Sequence, residues 1–537
     1  MNWWKKAVIY QIYPRSFYDT TGNGVGDING IIEKLDYLSF LGVDAIWLSP
    51  VYQSPQYDNG YDISDYEAID ERFGTMEEME RLISEAHRHH IRLIMDLVVN
   101  HTSFQHPWFI EARQSQHSKY RDFYIWRDDK NELLSTFGGS AWEFDEATQQ
   151  YYLHLFTPEQ PDLNWKNAML RQEIYAMMQR WAEKGIDGFR MDVIDLIGKE
   201  PDQNITGNGP LLHHYLNEMN QQVLAPNHLM TVGETWGATP QIAQQYSDPE
   251  RHELSMVFQF EHVTLDQQGG NKWNLAPLNF VELKKVLNKW QKELDGKGWN
   301  SLFWNNHDLP RAVSHFGNDG DEYRAKSAKM LALMLHLQKG TPYIYQGEEI
   351  GMTNTPIHSI DEVEDVESRN FYYQSLSAGW EEADILAAIN AKGRDNARRP
   401  MAWNADDNGG FTTGTPWIPL NPNYRQINVA NAIQDKDSVF YFYQQLIRLR
   451  HQYDIVTDGQ FEDLLPEHPT IYAYTRTLKQ EKWLILANFS DQKVETTLDF
   501  KVKKVILSND EMHFDTTVLN PYEAVIYEID EGAEKEW

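Results

Sequence analysis

The residues best suited to chemistry stand at the ends of apolar runs. In RLIMDLVVNH, Asp96, Val98 and Asn100 share a face by the two-residue period of an extended chain, and His101 follows at the tip. In GFRMDVID, Arg190 and Asp192 are two residues apart on one face, and LMTVGET carries Glu234 near its end. NSLFWNNHD finishes with His307 and Asp308. Carboxylates, an arginine and two histidines delivered to one rim suit glycoside cleavage, in which one carboxylate attacks and a second carboxylic acid protonates the leaving oxygen. A third anion can hold sugar hydroxyls as the ring flattens. Arg190 beside Asp192 favours the charged form of that acid. Glu234, among Val232, Gly233 and Trp236, is the better candidate for the group that keeps its proton. Each acid alone is equally well read as an ordinary strand-end residue; the conjunction at matching strand ends is what points to chemistry.

Elements able to position these residues are spaced along the chain. Eight strand-like runs are expected, at Ala7–Pro14, Asp44–Pro50, Arg92–His101, Gly188–Ile194, Leu229–Thr235, Leu254–Phe260, Asn300–Asp308 and Thr341–Glu349. Most are continuous apolar runs, as parallel strands buried on both faces should be. Helical patterns at Ile31–Leu41, Glu77–His89, Arg171–Lys184, Val281–Leu294, Tyr323–Leu337 and Ser438–His451 lie between or after them. This alternation predicts an α/β fold, a (β/α)8 TIM barrel with its chemistry at the C-terminal ends of the strands. The barrel is expected over 1–101 and 167–454, an inserted excursion domain after strand three over 102–166, and an all-β C-terminal domain, a sandwich, over 455–537. A second insertion, Thr355–Trp417, follows the eighth strand.

Composition narrows the partners. With 48 Lys and Arg against 80 Asp and Glu, the net charge of −32 disfavours nucleic acid and anionic membranes. The absence of cysteine excludes disulfides, thiolate catalysis and Cys-ligated metals. No signal peptide or membrane span is read in the 537 residues, so a cytoplasmic, monomeric protein is expected. The 13% of aromatic residues fills cores and also offers flat platforms for sugar rings.

DLVVNH (96–101), GFRMDVID (188–195), VGETW (232–236) and NNHD (305–308) resemble the four signature regions of the α-amylase superfamily, family 13 of the glycoside hydrolases. QPDLN (160–164), HEL and GTPYIYQGEE (340–349) resemble its oligo-1,6-glucosidase group, and VGETWGATP, FQFEH and DVES resemble the branch that acts on α-1,6-glucans. The resemblance implies Asp192 as nucleophile, Glu234 as general acid/base and Asp308 as transition-state stabiliser, acting by double displacement with retention. It implies that Asp58, Tyr61, His101, Arg190, His307 and Arg394 hold the glucose at the cleaved end, that Gln160 belongs to the substrate site, and that Trp236, Lys272 and Glu367 contact the second glucose. Val193, after the nucleophile, resembles enzymes that cut α-1,6 rather than α-1,4 bonds; a β-branched residue filling a strand is the plain alternative. An exo-acting α-glucosidase on isomalto-oligosaccharides or dextran is implied, with oligo-1,6-glucosidase of broader specificity or trehalose-6-phosphate hydrolase as alternatives. A non-catalytic partner subunit is a remoter one. No catalytic cofactor is implied. The loop Asp19–Asp27 resembles a structural calcium loop, with Asp19, Thr21, Asn23, the Val25 carbonyl and Asp27 as oxygen ligands; a metal-free Gly/Asn/Asp turn is the other reading.

Overall fold

The computed structural model describes residues 2–530; the first residue and 531–537 of the expected domains lie outside them. Eight parallel strands form the barrel: β1 Ile9–Ile12, β2 Ala45–Leu48, β3 Arg92–Leu97, β4 Gly188–Met191, β5 Met230–Glu234, β6 Met256–Phe258, β7 Ser301–Leu302 and β8 Thr341–Tyr345. All eight expected runs are strands, although shorter than their apolar pattern. Neighbours pair in chain order, and β1 also pairs with β8 through Ile9 and Tyr343. Only the seam between β6 and β7 is thin, a single parallel bridge between Val257 and Asn300. The interior is filled rather than hollow. Phe258 and Tyr343 meet edge to face at 4.6 Å, and Trp47 lies 5.6 Å from Phe258. These rings form the floor on which the polar strand ends rest.

The helices face the barrel with one apolar stripe. Met76–Arg88 buries Met79, Leu82, Ile83 and Ala86, a spacing of three and four residues. It starts with a capping box, in which Thr75 Oγ1 accepts from Glu78 N–H and Glu78 Oε2 accepts from Thr75 N–H. The expected helix Ile31–Leu41 is instead two, Ile28–Glu33 and Leu35–Leu41, parted at Lys34. Behind β8, Glu348 accepts from Tyr443 Oη–H at 2.6 Å, and Tyr10 and Tyr37 both donate to Glu349. Burial pushes Glu348 up to about 8.

Between β3 and β4 the chain leaves the barrel. Gln150–Leu153 lies at the centre of a three-stranded antiparallel sheet with Trp126–Arg127 and Trp142–Asp145; a bridge from His101 to Asp162 ties it to the rim, and one from Tyr124 to Leu163 lies within it. After β8, helices Val366–Ser377 and Glu382–Lys392 and the short turn Asp395–Arg398 return over the rim before Val439–Gln452 packs on the barrel. A C-terminal five-stranded antiparallel sheet follows, running Gln460–Leu464, Ile471–Leu478, Glu481–Asn488, Ala524–Ile529, Val502–Ser508 in spatial order. Its two faces alternate: Ile471, Ala473, Leu484 and Leu486 form one cluster, while Tyr472, Tyr474, Trp483 and Ile485 join the barrel core. Among the described residues no helix is long and apolar enough to cross a membrane.

Candidate active site

Arg190, fully buried on β4, organises the floor. Its Nη1 donates to Asp96 Oδ1 at 2.9 Å and to Asp192 Oδ1 at 2.7 Å, while Nη2 lies 2.8 Å from Glu234 Oε2. The two terminal nitrogens of one planar fork therefore hold Asp192 and Glu234 side by side. Trp47 lies 4.9 Å from the guanidinium and donates to Asp96 Oδ2, as does the Tyr61 hydroxyl, both at 3.0 Å. Three carboxylates share this one cation. Burial pushes Asp192 up, Arg190 pulls it down, and Glu234 and Asp96 push it up again, leaving it raised. Arg190 thus favours the charged form of Asp192, as its place beside that acid implies, against burial and two neighbouring carboxylates.

Glu234 is oriented on both oxygens. Oε1 accepts from Trp236 Nε1–H at 3.0 Å and Oε2 from the Val193 backbone N–H at 3.0 Å. Trp236 is itself fixed, stacked on Phe260 at 4.0 Å with planes 11° apart. Val193 does not extend β4. It has φ 35° and ψ 44°, the left-handed region that costs a β-branched residue about 1–2 kcal/mol. That turn aims its N–H at Glu234.

On the opposite wall, Arg398 Nη2 donates to Asp308 Oδ1 at 2.8 Å, and Arg394 lies 3.4 Å from the same oxygen. Burial pushes Asp308 up, but His307, Arg394 and Arg398 more than reverse this and hold it well below the usual carboxylate range. Arg394 also reaches Asp58 at 3.2 Å and Asp365 at 2.7 Å, closing the wall behind the cavity, with the Phe137 ring 5.0 Å away. His307 stacks on Tyr61 at 5.2 Å, accepts from Gln11 Nε2–H at its Nδ1, and is driven down to about 3 by burial, so it is neutral near pH 7. His101 donates from Nε2 to the Tyr61 carbonyl at 2.9 Å; Gln160 donates to Asp58 Oδ2 at 3.1 Å. Toward solvent, Lys272 Nζ meets Glu367 Oε2 at 2.6 Å, and Trp273 stacks on Phe371 at 4.3 Å.

These groups surround one cavity of about 630 Å³. Asp58, Tyr61, His101, Asp192, Val193, Glu234, Trp236, Lys272, Asp308, Glu367 and Arg394 line it, with Arg190, His307 and Gln160 directly behind. Sequence reasoning missed Asp365 and Arg398, which arrive from the insertion after β8, and the weight carried by Asp96. The Arg at position 398 in GRDNAR was the available signal for one of them.

The description "Alpha amylase, catalytic domain" matches residues 11–459, and "Maltogenic Amylase, C-terminal domain" matches 461–526. The chain belongs to the α-amylase family of glycoside hydrolases. It is 56% identical to a glucan 1,6-alpha-glucosidase of Streptococcus dysgalactiae subsp. equisimilis, over 97% of this chain and 98% of that one. It is 52% identical to an oligo-1,6-glucosidase of Parageobacillus thermoglucosidasius, over 98% and 99%. The crystal structure of trehalose-6-phosphate hydrolase from Bacillus licheniformis superposes with a TM-score of 0.94 at 49% identity, covering 99% of this chain and 100% of that one.

In this member of the α-amylase family the loop resembling a calcium site holds itself together. Asp19 Oδ1 accepts from the N–H groups of Thr21 and Gly22, and Oδ2 from Gly24 N–H at 2.7 Å and Thr412 Oγ1. Asp27 accepts from Thr20 N–H and, as a helix N-cap, from Gly30 N–H, both at 2.7 Å. Asn23 Oδ1 accepts from Val25 N–H at 2.8 Å. Every carboxylate oxygen of Asp19 and Asp27 faces a donor, and since an oxygen that accepts one hydrogen bond keeps a lone pair, the set suits a self-bonded turn and oxygen ligation of a hard cation alike. Among the described residues no group of three or more acidic or histidine side chains is placed to hold a metal ion.

Proposed function

We propose that this enzyme is a retaining, exo-acting α-1,6-glucosidase that releases glucose from the non-reducing ends of isomalto-oligosaccharides and dextran. The observation that carries the reading is the Arg190 fork, with Asp192 at 2.7 Å and Glu234 at 2.8 Å from its two terminal nitrogens. Carboxyl groups held that way favour the roughly 5–5.5 Å separation of double displacement over the roughly 6.5–9.5 Å that leaves room for an inverting water.

The Asp192 carboxylate attacks the anomeric carbon while Glu234 gives its proton to the glycosidic oxygen. The leaving sugar departs as an alcohol and glucose remains as an ester on Asp192. Glu234, now a carboxylate held by Trp236 and Val193 N–H, takes a proton from water as it attacks the anomeric carbon from the face the sugar left, breaking the ester bond and returning Asp192 as a free carboxylate. Asp308, kept ionised by Arg394 and Arg398, grips hydroxyls that tighten as the ring flattens and stabilises the developing positive charge. The Asp58–Arg394–Asp308 wall closes the cavity behind the glucose, which favours cleavage at chain ends.

Two features support α-1,6 linkages: Val193 crowds the space beside the nucleophile, and two relatives named for 1,6-glucosidase activity align over almost the whole chain. Against a phosphorylated sugar, the cation Lys272 on the leaving-sugar side is already paired with Glu367. Rates on isomaltose, isomaltotriose, panose, maltose, sucrose and trehalose 6-phosphate, with the product anomer read by NMR, test the reading. Glucose released first as the α-anomer, fastest from isomaltotriose, is the expected result. A β-anomer, internal dextran fragments or preference for the phosphosugar overturns it.

A further inference from the structure

The part of the cavity that receives the leaving sugar is walled by the hairpin Gln267–Leu275 and by the ends of two helices, Ala312–Phe316 and Glu382–Lys392. Asp266 stands at the root of the hairpin, where its carbonyl accepts from Ala276 N–H at 2.9 Å. Its carboxylate lies 2.5 Å from Lys392 Nζ and 2.9 Å from His315 Nε2, and these two nitrogens are 3.0 Å apart. Lys392 and His315 line the cavity, while Asp266 sits behind them. His315 Nδ1 is buried with no hydrogen-bond partner. Burial pushes Asp266 up, but His315 and Lys392 bring it down to about 2, so its charge is present at any physiological pH.

An ammonium on the cavity wall is a donor suited to a phosphate dianion. Here it is balanced from behind by a carboxylate, as Lys272 is balanced by Glu367 at 2.6 Å. A phosphate entering this wall must displace Asp266 from Lys392 and then sit against its negative charge, whereas a neutral glucose meets no such opposition. We propose that Asp266 is a specificity-determining residue, which keeps this wall electrically neutral and so reserves the leaving-sugar side for uncharged saccharides against phosphorylated ones. The proposal rests on the glucosidase reading above, which makes this wall the leaving-sugar side.

The test measures initial rates on isomaltose with added inorganic phosphate for the wild type, Asp266→Asn, and the double variant Asp266→Asn/Lys392→Met. In the wild type, millimolar phosphate gives no competitive inhibition. In Asp266→Asn the inhibition constant for phosphate falls by about tenfold or more, and in the double variant it returns toward wild type. Loss of packing alone would not create a phosphate sensitivity that removal of a second side chain abolishes. Equal phosphate sensitivity of wild type and Asp266→Asn overturns the proposal, as does a sensitivity that survives in the double variant. If Asp266→Asn does not fold, the wild-type arm still decides, since competitive inhibition by millimolar phosphate contradicts a neutralised wall. If the wild type releases no glucose from isomaltose, the substrate reading falls instead, and phosphate is then scored on the same three proteins by its effect on thermal midpoint.

Discussion

Replacing Arg190 by lysine keeps a positive charge at the floor of the cavity and removes the fork. The guanidinium holds Asp96 at 2.9 Å, Asp192 at 2.7 Å and Glu234 at 2.8 Å through two separate nitrogens. A single ammonium on a flexible stem cannot span all three. Losing two charge-assisted contacts at about 1.5–3 kcal/mol each removes about 3–6 kcal/mol of positioning. If all of it is felt in the transition state, kcat falls by about 10²- to 10⁴-fold, at 1.36 kcal/mol per decade. The pH profile moves as well. Arg190 is the group that pulls Asp192 down against burial, so a weaker cation lets its pKa rise further, and the acidic limb of the rate profile, which needs Asp192 ionised, shifts to higher pH. Hydrolysis of p-nitrophenyl α-glucoside across pH, with the thermal midpoint as a control for folding, measures both. A folded Arg190→Lys enzyme within tenfold of wild-type kcat, or an acidic limb that moves down, refutes the assignment of Arg190 as the group holding the two acids.

Asp365→Asn removes the carboxylate 2.7 Å from Arg394 while Asp58 and Asp308 remain, so the protein loses about 1.5–3 kcal/mol, read as a lower thermal midpoint with a raised KM; an unchanged midpoint contradicts the reading. If the Asp19–Asp27 loop is held only by its own hydrogen bonds, calcium or a chelator leaves the thermal midpoint within about 1 °C; an ion bound only to the folded state would raise it with the logarithm of its concentration over Kd, so a rise of several degrees with calcium supports the calcium loop. Glu348→Gln flattens the alkaline side of the stability profile. Its folded pKa is raised from 4.5 to about 8, so the wild type loses stability as pH climbs between these values, and the variant gains on it by about 1.4 kcal/mol per pH unit there. Parallel pH–stability curves for the two proteins contradict that placement.

The eight strands were legible because burial on both faces leaves long apolar runs with no polar interruption, as in AIWL of β2 and TPYIY of β8. Their ends were less so. The run to Asp308 suggests a strand, yet β7 stops at Leu302, since residues that line a rim stay apolar after pairing has ended. The site residues on β3, β4 and β5 stood out because strand ends converge on one rim. Asp365 did not, since it is the N-cap of a helix in an insertion whose folding onto the rim leaves no periodicity to read. Val193 was marked as a site residue, but its backbone role was not legible: a valine announces an extended chain, and only the backbone reveals the left-handed turn that hands its N–H to Glu234. The spacing of the Asp19–Asp27 loop suits both an ion and a self-bonded turn, and spacing alone does not choose between them.

The lone bridge joining Val257 to Asn300 gives the cylinder a preferred line of opening. Seven strand boundaries are stitched by ladders of two or more residues, so local breathing concentrates at the eighth, where amide protons will exchange soonest with heavy water. The hairpin carrying Lys272 and Trp273 follows β6 after the short turn Glu261–Thr264. Looser joining of that stave is therefore expected to quicken departure of the detached sugar past the hairpin one short turn away, a link that slower exchange at the joint without slower product release would refute.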